Sequence, residues 1–308
     1  MPDTDTALTT GKVTLPRNIF STMLDKAKDA STIAQLATQE PKKFEEGEAL
    51  IFTPSAEAEV VTEGAAKSSY EQKMDSVKAY TVTFQTTTRV SDQLKWADED
   101  HQLKIVSNIV KDQGEAAGRL LDYIIYHLFN PLPKTALTLG DFQKLSAAAV
   151  QVTDAGDAVT NLDALEAAIG DVYEINGLAM SRKFARSLRT ARNSQGIKLY
   201  PEVPMNLKVG SVDGVRASVS GTVNGTLMTG ASASNVLAFM GNFNLINWGM
   251  VRAATSEVIE YGDPDGKGDL KRFNQIAYRT EGVLAYYVLD PKGFAVLKGA
   301  AAKTKAAR

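Results

Sequence analysis

Residues 91–130 read SDQLKWADEDHQLKIVSNIVKDQGEAAGRLLDYIIYHLFN. From Leu103 onward, apolar or small residues fall at Leu103, Val106, Val110, Ala117, Leu120, Leu121, Ile124 and Leu128. That three- and four-residue spacing gathers side chains on one face of a helix. Asp98, Glu99 and Asp100 place negative charge at the expected first turn, where the helix dipole favours it, and Pro131 with Pro133 stops the helix. A helix from Asp98 to Phe129 would be about 48 Å long at ~1.5 Å per residue, enough to act as a strut across a domain. Inside it Gly114 and Gly118 stand four apart, each costing roughly 1 kcal/mol relative to Ala. Either another backbone packs closely on this small-residue face, or the helix is made easy to bend there.

The rest of the chain is organised around this strut. At 308 residues it is long enough to bury a substantial core in one large or two intermediate domains. Cysteine is absent, which removes disulfides, thiol nucleophiles and thiolate metal sites together and fits a reducing compartment. A net charge of −2 gives no global pull towards nucleic acid or anionic membrane. No apolar run approaches the roughly 20 residues of a membrane-spanning helix, and the polar N-terminus has no signal-peptide core.

Residues 1–14 have little to bury and read as an extended arm. Residues 15–37 read as a short helix, with Pro16 in its first turn and Ile19, Phe20, Met23, Leu24 and Ala27 as a modest apolar face. Residues 41–75 are dense in charge and poor in apolar side chains, with strand-like pieces at 50–53 and 59–62. A segment that long with so little to bury reads as a projecting hairpin whose partner is something else. Residues 77–90 alternate Tyr80, Val82 and Phe84 against Thr81, Thr83 and Gln85, the period of a half-buried strand leading into the strut.

Beyond the strut, Leu162, Leu165, Ile169 and Val172 mark a second amphipathic helix, and Leu178 to Met180 a short strand. A basic helix with Arg182, Arg186, Arg189 and Arg192 follows and ends by Gly196 and Pro201. It reads first as a solvated face and second as a nucleic-acid contact, which no aromatic or Gly-rich platform accompanies. Residues 207–239 read as short strands joined by tight turns, with no helix. The last third is a succession of strands around an acidic turn at 263–269. Strands and helices mix without a βαβ rhythm, so the fold class is α+β.

Little in the chain supports chemistry. The two histidines, His101 and His127, lie apart on the strut, and no HExxH, GxSxG or P-loop occurs. The turn Asp263-Pro-Asp265-Gly-Lys-Gly-Asp269 lacks the ligand ladder and closing Glu of an EF-hand, so it reads as a hairpin turn, with a weak cation site as the lesser alternative.

The order of parts resembles the HK97-like major capsid proteins of tailed double-stranded DNA bacteriophages over nearly the whole chain. Carrying the resemblance are Thr62-Glu63-Gly64 with Lys67 in the extension, Val90-Ser91 with Leu94 before the strut, and Leu121-Asp122 within it. Leu207-Lys-Val-Gly210 through Val215 follows, as does Met240-Gly-Asn-Phe243, where the family often has Gly-Asp-Phe and Asn242 replaces the Asp. Tyr278-Arg279 and Asp290-Pro-Lys-Gly-Phe294-Ala-Val-Leu297 close the series, with the aromatic here preceding the Ala.

That resemblance implies an α+β HK97-like capsid fold: an N-terminal arm and short helix over 1–40, an extended E-loop hairpin over 41–76, a peripheral domain with the long spine helix over 77–160 and 250–300, an axial domain over 161–249, and a tail over 301–308. The implied function is a structural, non-enzymatic major capsid protein of the virion. It self-assembles in the host bacterial cytoplasm into hexamers and pentamers of an icosahedral shell around double-stranded DNA.

The implied partners are other copies of the chain, a portal, a separate scaffold or decoration protein, and non-specifically the packaged DNA; no membrane and no cofactor or metal is called for. Charge-complementary subunit contacts are expected at Glu57, Glu59, Glu63, Lys67 and Lys73 on the extension and at Arg182, Arg186, Arg189 and Arg192 on the basic helix. Gly114 and Gly118 are the expected hinge of the spine during shell expansion. Lys67 and Lys73 have the position of crosslink donors in some members, but no Asn or Glu is singled out as partner, and no crosslink is expected. The tail lysines, with Arg308, read as a solvated terminus before a DNA contact. Two alternatives stand beside this reading: an encapsulin-type nanocompartment shell, and, further off, a small-oligomer metal-binding enzyme using the acidic turn.

Overall fold

A computed structural model describes residues 31–40, 48–52, 58–62, 66, 67, 69, 74–92, 99–227 and 234–299. The expected arm, the tail and residues 15–30 of the helix expected over 15–37 lie outside the described residues; at Ser31, which is extended at φ −104° and caps the short helix Thr32–Leu36, the expected helix is not continuous. In chain order the first elements are α1 (Thr32–Leu36), β1 (Thr38–Gln39), β2 (Glu48–Phe52), β3 (Met74–Lys78), β4 (Tyr80–Ser91) and α2 (Glu99–Asp122). A π-helical turn (Tyr123–His127) follows α2, then β5 (Phe129–Asn130), β6 (Thr135–Ala136), α3 (Leu145–Ala148), β7 (Val150–Thr153) and α4 (Ala158–Ala167). The remainder is β8 (Gly177–Met180), α5 (Arg182–Thr190), β9 (Ser211–Val212), β10 (Val215–Val219), β11 (Val236–Gly241), β12 (Ile246–Ile259), β13 (Gln275–Val288) and β14 (Phe294–Lys298).

Two sheets organise these elements. One has four strands in the order β1-β12-β13-β4, and the other has six in the order β7-β14-β11-β8-β10-β9. β12 and β13 form a long antiparallel hairpin, and β4 adds to the β13 edge from Ser91 opposite Gln275 to Tyr80 opposite Tyr286. The expected alternation holds at the start of β4, where Phe84 is buried between exposed Thr83 and Gln85. The expected strand is in fact two, β3 and β4, separated at Ala79.

The centre of the six-stranded sheet is buried on both sides, which is why β8 and β11 are apolar throughout with no polar face. Along β14, Phe294 and Val296 belong to one core, with the end of the strut, and Ala295 and Leu297 to the other, with α4 and α5. The second core is built on Leu162, Leu165, Phe184 and Leu188. Glycine is required where β8 meets β11: Gly177 stands opposite Gly241. A Cβ on Gly177 would lie 2.4 Å from the Phe243 ring, and one on Gly241 2.3 Å from the Gly293 carbonyl oxygen. β14 pairs with β7 and β11, so this strand of the 250–300 segment belongs by hydrogen bonding to the same sheet as β8 and β10.

Four local expectations are corrected. The strut stays α-helical only to Asp122 and then widens into the π turn, closed by Leu128 in the left-handed conformation at φ 53°. All five residues of that turn are buried, whereas an amphipathic α-helix would turn some of them to solvent. The second amphipathic helix ends at Ala167, so Ile169 is buried beyond it while Val172 is 78% exposed. Residues 59–62 carry no strand; β2 pairs instead with β3, Glu48 opposite Lys78 to Phe52 opposite Met74. Within 207–239 a 3-10 turn forms at Gly221–Asn224, because Ser220 caps it by accepting from the Thr222 N–H and Gly225 closes it at φ 72°.

Candidate functional site

A heavily bonded polar group inside the protein is the carboxylate of Asp122, the last α-helical residue of the strut, which is fully buried. Oδ1 accepts from the Ser31 hydroxyl at 2.5 Å and the Ile33 N–H at 3.1 Å. Oδ2 accepts from the Thr32 N–H and the Thr32 hydroxyl, each at 3.0 Å, and from the Thr222 hydroxyl. Thr32 spends its one hydroxyl hydrogen on Asp122, so Tyr126 OH, 2.9 Å away, donates to it. Burial pushes the Asp122 carboxyl above its usual range, while the hydroxyl and N–H donors from Ser31, Thr222, Thr32 and Ile33 pull the other way.

The π turn makes the second half of this joint. His127 Nε2 lies 3.1 Å from the carbonyls of both Thr222 and Val223. Two acceptors require that this nitrogen carry the hydrogen. Burial lowers the imidazole pKa to about 4, helped by the charge of Lys144 and opposed by the two carbonyls. Tyr123 OH donates to the Thr226 carbonyl at 2.7 Å, and the Tyr126 ring stacks on Phe239 with centroids 4.4 Å apart. The widened turn thus aims Asp122, Tyr123, Tyr126 and His127 at two distant segments, residues 31–33 and 222–226. Strut, chain entry and six-stranded sheet are locked together there.

Gly114 and Gly118 lie one to two turns earlier and are buried. With Ala34, Phe84, Leu121, Trp248, Met250 and other apolar side chains they line a cavity of about 40 Å³. α1 and the four-stranded sheet therefore face the small-residue side of the strut across this cavity.

The acidic turn between β12 and β13 is filled by a side chain from β4. Arg89 Nε donates to both carboxylate oxygens of Asp265, at 2.8 and 3.0 Å. Its Nη2 reaches Asp263 and the Gly268 carbonyl, each at 2.9 Å, and Nη1 reaches Gln275 at 3.2 Å. Bonding to Arg89 holds the Asp265 carboxyl below the usual range and raises the guanidinium. Among the described residues no group of three His, Cys, Asp or Glu side chains is placed to hold a metal ion, and no helix there is long and apolar enough to cross a membrane.

The expected surface residues fall in two places. On the extension, Glu59 and Lys67 are exposed, Val60 is 100% exposed and Val61 37% exposed; Glu57, Glu63 and Lys73 lie outside the described residues. On α5, Ser181 caps the first turn by accepting from the Phe184 N–H at 3.3 Å, and Phe184, Ala185 and Leu188 are buried. Arg182, Arg186 and Arg192 are exposed, and Arg189 is half-buried with its Nε lacking a hydrogen-bond partner. The structure brings the arginines together on one side of α5 and the turn after it.

Reading by periodicity gave no role to Asp122, His127 or Arg89, whose partners are far along the chain. One signal was available for Asp122: a carboxylate inside the run Leu120-Leu121-Asp122-Tyr123-Ile124-Ile125 enters a core and must find donors there.

Comparison with known proteins agrees with this architecture. The model of the phage capsid family matches residues 11–299. A solved chain from Mycobacterium phage Ogopogo superposes with a TM-score of 0.76 at 34% identity, covering 88% of this chain and 92% of that one. One from Gordonia phage Cozz gives 0.74 at 26% identity, with coverages of 88% and 87%. The capsid of an empty GTA particle gives 0.60 at 15% identity, with coverages of 88% and 90%, a likeness of fold alone. No curated protein matches. With its mixed α+β architecture of HK97-like type, this chain belongs to the phage capsid family and is a structural major capsid protein.

Proposed function

We propose that the chain assembles through heterologous contacts into hexamers and pentamers that close as an icosahedral shell around double-stranded DNA, inside the host bacterial cytoplasm. Heterologous contacts build rings when their rotation closes. The observation that carries this reading is the extension: the β2–β3 hairpin supports a segment whose Val60 side chain is fully exposed, an apolar group without a place in this chain's own core. A neighbouring subunit supplies that place. Glu57, Glu59, Glu63, Lys67 and Lys73 flank it in sequence and are assigned to the same contact, and Arg182, Arg186, Arg189 and Arg192 to a second one.

In this reading residues 41–76 are the E-loop, 161–249 the axial domain, and Gly114 with Gly118 the flexible point of the spine. A portal and a scaffold or decoration protein complete the particle. The test is expression of the chain with and without its scaffold, size-exclusion chromatography and electron microscopy. Closed shells or capsomer rings support the reading; a homogeneous small oligomer refutes it. Nucleic acid inside shells matured in infected cells separates a DNA container from an encapsulin-type one filled with enzyme.

A further inference from the structure

Charge is segregated along the chain in one region. Residues 154–181 contain six carboxylates and no Lys or Arg; residues 182–201 contain six Lys or Arg and no carboxylate. The two segments are neighbours in space, since α4 packs against α5. Even so, among the described residues no ion pair joins them. Opposite charges so close, yet unpaired within the subunit, are presented to something outside it.

Each segment carries a shaped surface. The acidic one, together with residues 212–215 and Met240, forms a cleft of about 480 Å³, lined by Asp163, Glu166, Glu174 and Asp213 and with Leu178 and Met240 among its apolar lining. All four carboxylates are exposed. Two of them, Asp163 and Asp213, also act on Tyr200, whose hydroxyl pKa is raised by burial first and then by Asp163, Asp213, Glu202 and Asp157.

The basic segment ends in a pre-formed projection after α5. Asn193 Oδ1 accepts from the Gln195 and Ile197 N–H groups at 3.0 and 2.9 Å, and Arg192 Nη1 donates to the Gly196 carbonyl at 2.7 Å. The backbones of Arg192 and Lys198 pair as an isolated antiparallel β-bridge, and Gly196 takes φ 80° to close the turn. This rigid turn holds two apolar side chains in solvent, Ile197 at 62% and Leu199 at 44% exposed. An apolar tip flanked by cations matches a cleft lined by apolar side chains and carboxylates, in both hydrophobicity and charge.

We propose that the turn at residues 192–199 of one copy seats in the acid-lined cleft of the next copy, with Ile197 on the apolar lining and Arg192 and Lys198 against Asp163, Glu166, Glu174 and Asp213. Turn and cleft are different surfaces of the same chain, so the contact is heterologous and repeats from copy to copy. It rests on the shell reading above and names the partner of the basic helix in it. Because the turn is already ordered, little conformational entropy is lost on docking.

The absence of cysteine makes a clean test possible. Chains carrying Ile197→Cys are co-assembled with chains carrying Asp213→Cys, oxidised, and run on a non-reducing gel; Ser194→Cys replaces Ile197→Cys if loss of the Ile side chain blocks assembly. The contact predicts a dimer-sized band several-fold stronger in the mixture than in shells of either variant alone. Intact shells without that band overturn the contact and leave the shell reading standing. A parent chain that never assembles overturns both. As a second measurement, Arg192→Glu with Lys198→Glu should lower shell yield, and adding Glu166→Lys with Asp213→Lys should restore it; a charge pattern without effect on yield also overturns the proposal.

Discussion

Lowering the pH should weaken the joint between the strut and the six-stranded sheet, and His127 sets the size of the effect. Its imidazole is buried and its pKa is lowered from 6.5 to about 4. The unfolded chain therefore takes up a proton near 6.5, whereas the folded chain resists until about 4. Above pH 6.5 both states are neutral and the group leaves stability unchanged. As pH falls from 6.5 to 4 the unfolded state binds more protons, and folding stability drops by about 1.4 kcal/mol per unit. The loss reaches roughly 3 kcal/mol and levels off below pH 4.

The structural cause is plain: a charged imidazole would sit among Tyr126, the 222–223 carbonyls and the nearby Lys144, with little water to solvate it. The assay is guanidinium unfolding of unassembled subunits between pH 8 and pH 4, for the parent and for His127→Gln, whose amide also donates to a carbonyl. Carboxylates titrate in both proteins, so the difference between the two curves isolates His127. The parent should lose about 3 kcal/mol more than the variant over that range. Parallel curves would refute the buried, neutral histidine.

Three further outcomes follow from the geometry. Asp122→Ala leaves the Ser31, Thr32, Ile33 and Thr222 donors without their acceptor and should cost about 3–5 kcal/mol in subunit unfolding; a loss under about 1 kcal/mol would show that water or rearrangement replaces the carboxylate. Gly114→Ala with Gly118→Ala should raise subunit stability by roughly 1 kcal/mol per site and hinder shell expansion under an acid or heat trigger. Expansion at the parent rate would remove the hinge assignment. Arg89→Gln should free the acidic turn, read as faster tryptic cleavage after Lys267; an unchanged cleavage rate would show that the turn orders itself.

How much of this was legible in the sequence depended on how local the cause is. The strut and the start of β4 follow from apolar periodicity, and the basic helix was read from its run of Arg and Lys up to Gly196 and Pro201, although it already ends at Thr190. The end of the strut was not legible, because Tyr123, Ile124 and Ile125 fit an α-helical face as well as a π turn; contacts with Thr222, Val223 and Thr226 decide it. Val172 fits the spacing of a helix that Gly170 and the turn after Ala167 have already ended. Among the described residues, 59–62 pairs with no strand, while β2 pairs with β3. Asp122 and Arg89 depend on partners 91 and 176 residues away in sequence, which no window along the chain contains. The cleft is likewise assembled from separate segments: α4, residues 170–175, β8, the β9–β10 turn with its flanking strands, and β11.

The central claim is that this chain builds a closed shell through contacts between unlike surfaces. Its most direct test is electron microscopy of the purified chain after assembly, with the scaffold protein supplied where needed. Closed icosahedral particles with rings of six and five subunits are predicted. A population that stays as one small, symmetric oligomer under every assembly condition would contradict it.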